Sequence, residues 1–187
     1  MNGRFLLLLA RTLLRGPRSI ATPPKDPDSL AQLGTNLAVR AQAKLGRSLR
    51  IREVDAGSCN GCELELHAVN GPVYDLERFG IHFVASPRHA DVILVTGPVS
   101  RNMAVALRRT YDAAPHPKWV VAMGDCAIDG GCFAGSYAVL GGVHAALPVD
   151  LTIPGCPPTP LALLSGLLAL LEGINRKAPD GASLDLG

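Results

Sequence analysis

From Leu49 onward the apolar positions switch between short continuous runs and a three-to-four-residue repeat, and this predicts strands alternating with helices. Leu49–Val54 is the first strand. Glu63–Arg78 has helical spacing through Leu64, Ala68, Leu76 and Phe79, broken at Gly71-Pro72 and ended by Gly80. Ile81–Ala85 is a short strand. Ala90–Thr96, with Val92, Ile93, Leu94 and Val95 in succession, is a strand of the kind covered on both faces. Residues 100–113 follow as a helix and Lys118–Met123, through Trp119, Val120 and Val121, as a second buried strand. Ser136–Ala146 is weakly helical with an interruption at Gly141-Gly142. Val149–Ile153 is the last strand and Thr159–Glu172 the last helix. The alternation predicts an α/β domain over residues 49–175, with a parallel sheet and helices on both faces. The run Leu161–Leu171 is too short to span a bilayer and is assigned to a helix lying on that sheet.

The N-terminal segment has a different pattern. On a helical wheel Arg4, Arg11 and Arg15 fall within an arc of about 40°, opposite Phe5, Leu6, Leu9, Ala10 and Leu13. Gly16-Pro17 ends this helix, since proline cannot continue the hydrogen-bond ladder. Residues 1–20 therefore predict a basic amphipathic helix suited to a membrane interface or a partner's groove. A helix packed on its own domain, or an Arg-rich targeting segment, are the competing readings. Residues 21–48 are a linker and connector: Pro23-Pro24-Lys25-Asp26-Pro27 is extended and residues 28–47 are loosely helical. Residues 176–187 are expected to be a disordered tail.

Composition changes the picture in two ways. The net charge of +2 hides an imbalance: Arg4, Arg11, Arg15, Arg18 and Lys25 precede the first acid, Asp26, which leaves thirteen basic and sixteen acidic residues beyond them. The folded part is mildly acidic and carries no nucleic-acid footprint. Five cysteines in a 187-residue chain that is 48% apolar do not suit a closed disulfide framework, and are better read as reserved for chemistry.

Four of those cysteines follow predicted strands. Cys59 and Cys62 lie in Asp55-Ala56-Gly57-Ser58-Cys59-Asn60-Gly61-Cys62, Cys126 in Met123-Gly124-Asp125-Cys126, and Cys156 in Ile153-Pro154-Gly155-Cys156-Pro157-Pro158. Loops at the carboxyl ends of parallel strands converge on one edge, so four thiolates from three loops can meet. Four thiolates suit zinc or an iron–sulfur cube. One C-x-x-C with two distant single cysteines, a glycine one or two residues before each cysteine, and Pro157 after Cys156, favour a single 4Fe–4S cluster. Cys132, in Gly130-Gly131-Cys132-Phe133, is left over and is read as a small apolar residue beside the cluster loop; the sharper reading is an alternative ligand or redox thiol. His67, His82, His89, His116 and His144 are scattered without metal-ligand spacing, and Arg101, Arg108 and Arg109 are read as a solvated helix face or subunit contact. No phosphate-loop or dinucleotide fingerprint is present.

At Gly57–Glu63, Gly124–Ala127 and Pro154–Pro158 the chain resembles the small subunit of membrane-bound group 4 NiFe hydrogenases, whose superfamily includes the 20-kDa, or B, subunit of respiratory complex I. The likeness covers roughly residues 49–172, plus the amphipathic N-terminal arm. The C-x-x-C, where the complex I subunit has adjacent cysteines, places it nearer the formate hydrogenlyase and energy-converting hydrogenase side. The resemblance implies a flavodoxin-like fold without flavin, and Cys59, Cys62, Cys126 and Cys156 as ligands of one 4Fe–4S cluster, with no catalytic residue of its own. It implies an oxidoreductase subunit active only with a large catalytic subunit, either NiFe-hydrogenase-like or like the 49-kDa subunit of complex I. Other iron–sulfur subunits and membrane-arm subunits complete the implied assembly, held peripherally at the cytoplasmic side of the cell membrane. Glu65, three residues after Cys62, is a candidate for proton passage or cluster tuning, and equally a solvated helix acid.

Deleting residues 1–20 is expected to release the chain from membranes or weaken its assembly there without changing metal content. Full co-sedimentation of the truncated chain with membranes would remove that role from the arm.

Overall fold

The computed structural model describes residues 27–173. The amphipathic helix expected over residues 1–20 and the tail expected over 176–187 lie outside the described residues.

Helix α1 (Pro27–Leu45) precedes strand β1 (Leu49–Asp55), helix α2 (Gly61–Asn70), strands β2 (Ile81–Phe83), β3 (Val92–Thr96) and β4 (Val99–Ser100), and helix α3 (Arg101–Ala113). Strand β5 (Trp119–Met123), the five-residue helix α4 (Asp125–Asp129), strands β6 (Val139–Gly141) and β7 (Leu151–Ile153), and helix α5 (Pro160–Gly173) complete the order. Five strands form one parallel sheet in the order β2-β1-β3-β5-β7. This is the doubly wound arrangement expected of a flavodoxin-like fold. Strands β3 and β5 are buried at every position, as their unbroken apolar runs predict.

Helices cover both faces. On one, Leu37 and Ala41 of α1, Leu66 and Val69 of α2, and Leu163, Leu164 and Leu167 of α5 pack over Ile51, Leu94 and Val121. On the other, Leu107 of α3 and Ala127 of α4 pack with Ile93, Val95 and Val120. Burying one such leucine contributes about 2 kcal/mol. The loosely helical connector of the sequence is thus one continuous helix whose Leu37 and Ala41 belong to the domain core.

One expectation holds and another fails. The break at Gly71-Pro72 and the stop at Gly80 fall where the sequence put them: α2 runs from Gly61 to Asn70, and Leu76–Phe79 turns again up to Gly80, as 3₁₀ rather than α. Ser136–Ala146 is not helical: β6 pairs antiparallel with β4, and only Val143–Ala145 makes a 3₁₀ turn. Adjacent glycines cost a helix about 1 kcal/mol each, and Val99–Ser100 offers this segment the partner it needs. Arg101 and Arg108, read from sequence as a solvated face or subunit contact, hold this region: Arg101 Nε donates to the Tyr137 carbonyl at 2.7 Å and Arg108 to the Ala146 carbonyl at 3.2 Å.

At the amino end of the sheet, Asp91 is 4% exposed. Its carboxylate accepts two bonds from the Arg47 guanidinium, one of 2.9 Å, and one from the Arg50 N–H at 3.0 Å. Arg47→Ala leaves that carboxylate without its counter-ion. Because Arg47 itself is half exposed, the cost should fall below the range for fully buried pairs, at about 2 kcal/mol. The check is a lower urea midpoint at unchanged m-value.

Candidate metal centre

The first cysteine loop is set by Asp55, which ends β1. Its Oδ1 accepts from the Gly57 and Ser58 N–H groups, both at 2.7 Å, folding the chain into an Asx turn. Ser58 Oγ accepts from the Asn60 N–H at 2.9 Å, and Asn60 takes a left-handed conformation (φ 71°) to open α2. Cys59 is therefore held just outside the helix and Cys62 lies in its first turn, where unpaired N–H groups favour negative charge. Cys126 lies likewise in the first turn of α4, directly beyond β5. Cys156 follows β7 by three residues, and the Gly124 N–H, donating to the Ile153 carbonyl at 2.8 Å, carries the β5–β7 pairing up to this point.

The three loops meet at Gly124. This residue has φ +92°, and a Cβ on it would lie 2.7 Å from Cys62 Sγ and 3.4 Å from the Gly155 carbonyl oxygen. Only glycine permits both the backbone angle and the approach. Gly131 serves Cys126 the same way, since a Cβ there would come within 2.8 Å of Cys126 Sγ. Burial pushes the Cys62 thiol up to about 12, with further upward contributions from the charges of Glu63, Cys126, Cys59 and Cys156. The other three cysteines at issue are thus all close enough for Cys62 to feel. Cys126 is also raised, by burial first and then by the charge of Cys132, whose backbone and thiol both hydrogen-bond with it. Cys132, the spare cysteine of the sequence, sits against Cys126 and is exposed. Among the described residues, no three His, Cys, Asp or Glu side chains converge tightly enough to hold a single metal ion.

Along α2, between it and the β1 and β2 strands, lies a cavity of about 310 Å³ lined in part by Arg52, Glu53, Glu63, His67 and Asn70. Arg52 Nε and both Glu63 carboxylate oxygens are buried there without a hydrogen-bond partner among the described residues. Glu53 is raised chiefly by burial, against the bond it accepts from Thr96 Oγ1 at 3.2 Å. Glu65, singled out in the sequence, does not line this cavity; the acid beside Cys62 that does is Glu63. The Asx turn at Asp55 was readable in Asp55-Ala56-Gly57-Ser58, whereas the Arg52–Glu63 grouping joins a strand to a helix and leaves no local signal.

In the metal-free chain, exposed Cys59, Cys132 and Cys156 should alkylate with iodoacetamide at pH 8 faster than Cys62 and Cys126, whose thiolate fractions are reduced by burial. Time-resolved peptide mass spectrometry measures the order; Cys62 reacting first would contradict its environment.

Residues 59–170 match the family described as NADH ubiquinone oxidoreductase, 20 Kd subunit. Formate hydrogenlyase subunit 7 of Escherichia coli (strain K12) is 45% identical over 167 residues, covering 88% of this chain. The chain spans 64% of the length of that relative. Among solved structures, a chain of the membrane-bound sulfane sulfur reductase, an archaeal respiratory membrane complex, superimposes with a TM-score of 0.62 at 37% identity, covering 74% of this chain and 75% of the other. A chain of an NAD+-reducing [NiFe]-hydrogenase in the H2-reduced state shares the fold alone, with a TM-score of 0.53 at 24% identity, covering 68% of this chain and 93% of that one. By the match over residues 59–170, the chain belongs to the family of the 20-kDa subunit of NADH:ubiquinone oxidoreductase.

Proposed function

We propose that this chain is an electron-transfer subunit in which Cys59, Cys62, Cys126 and Cys156 hold one 4Fe–4S cluster. The observation that carries the reading is the meeting of three strand ends at Gly124, whose missing side chain leaves room for Cys62 Sγ on the Cys126 loop while the Cys156 loop approaches the same glycine. The donor set fits the group. Four thiolates are the usual ligands of such a cube, and hydrogen atoms at Gly124 and Gly131 leave space beside two of the sulfurs. Burial and the neighbouring cysteines disfavour the Cys62 thiolate in the metal-free chain, so a cationic centre bound there would be what holds it in that form. The cluster supplies one-electron transfer; the chain holds the thiolates, shapes the loops around them and excludes water on the Cys62 and Cys126 side.

The electrons have to leave through a surface, and the exposed apolar side chains beside the cysteines suit a protein partner. Leu64, two residues past Cys62, is 61% exposed; Phe133, next to Cys132, and Tyr137 are 38% and 89% exposed. In keeping with the hydrogenlyase and reductase relatives, that partner is a large catalytic subunit, hydrogenase-like or of the complex I type. Other iron–sulfur and membrane-arm subunits complete the assembly, and the chain sits peripherally on the cytoplasmic side of the membrane. No described helix is long and apolar enough to cross a membrane.

The test is iron and acid-labile sulfide analysis of anaerobically purified protein, with low-temperature EPR of the reduced form. Cys126→Ser or Cys156→Ser should remove or weaken the cluster signal, and Cys132→Ser should leave it. Zinc without iron in the wild type would replace this reading by a structural metal module, and unchanged spectra in the first two variants would overturn the ligand assignment.

A further inference from the structure

The loops of Cys126 and Cys156 are joined by two hydrogen bonds made by a single residue. The Asp125 N–H donates to the Gly155 carbonyl oxygen at 3.0 Å, and Asp125 Oδ1 accepts from the Gly155 N–H at 2.8 Å. Asp125 and Gly155 each stand immediately before a cysteine, so the pair fixes the separation of the two sulfurs at their points of departure. The sheet does not do this: the β5–β7 pairing ends with Met123 opposite Ile153, and the Gly124 N–H makes the last bond before the loops begin. The Asp125 carboxylate is half-buried and bonds across to the other loop, although it stands at the start of α4, where a carboxylate ordinarily serves its own helix. A carboxylate acceptor makes the cross-loop bond charge-assisted, roughly twice as strong as a neutral one.

We propose that Asp125 is a positioning residue for the proposed cluster: it clamps the Cys156 loop to the Cys126 loop and places one fixed negative charge beside the group they hold. The clamp keeps the two single cysteines in register in the absence of a second C-x-x-C. The charge favours the more oxidised cluster and so lowers its reduction potential. The proposal rests on the cluster reading given above.

The experiment uses the full chain purified anaerobically in its native complex, with iron and sulfide content, the rate of iron release to a chelator, and an EPR redox titration as readouts. Asp125→Ala removes the acceptor and should speed iron release about tenfold or more, the scale on which groups hydrogen-bonded to metal-site ligands act. Asp125→Asn keeps an oxygen able to accept from Gly155, so release should stay near the wild-type rate while the midpoint potential moves upward. A purely structural residue would not shift the potential at unchanged cluster content. Wild-type release from Asp125→Ala, or an unshifted potential in Asp125→Asn, overturns the proposal. Wild-type protein that contains no iron or sulfide instead sinks the cluster reading itself, before either variant is compared.

Discussion

The approach of Cys62 Sγ to the backbone of Gly124 ties together three strand ends that are far apart in sequence, and the rest of the molecule is arranged to permit it. A parallel sheet brings the carboxyl ends of β1, β5 and β7 to one edge, but their side chains would still hold the loops apart. Removing one Cβ lets a sulfur from the first loop lie against the second while the third touches the same glycine. Strands β3 and β5, buried at every position, give that edge a rigid base, because a close-packed interior yields little to local strain.

The parts legible in the sequence are those whose signal is local or periodic. Val92–Val95 and Trp119–Val121 announce buried strands because nothing polar interrupts them, and the cysteines mark the edge because each follows such a strand. The β4–β6 pair was not legible: Val99–Ser100 is two residues long, and its partner lies some forty residues away behind two glycines that weaken any pattern. Asp125 was hidden for the same reason, since a carboxylate beside a helix start looks like an ordinary helix-dipole partner until the loop it grips is in view. Glu63 was overlooked in favour of Glu65 because spacing alone does not say which helical acid turns toward β1.

The two ends of the sheet solve opposite problems. At the amino end Asp91 is buried but fully engaged, by Arg47 and by the Arg50 N–H, so that a charge inside the fold is matched by donors aimed at it. At the carboxyl end the matching is incomplete. Among the described residues Glu63 has buried oxygens without donors, Arg52 Nε, midway along β1, lacks an acceptor, and Cys62 is pushed up by burial beside three other cysteines. Leaving buried polar groups unpaired costs about 1–3 kcal/mol each.

That asymmetry is itself an argument about function. A fold with 34 buried apolar residues among those described can bear a few such costs, and they fall at Glu63 and Cys62 beside the first cysteine loop and at Arg52 midway along β1. Leu64, Phe133 and Tyr137 expose apolar surface on the same side, which water also disfavours. On the reading proposed above, a bound cluster and a protein surface over the rim would meet both features, as suits a subunit that passes electrons on rather than one that turns over substrate alone.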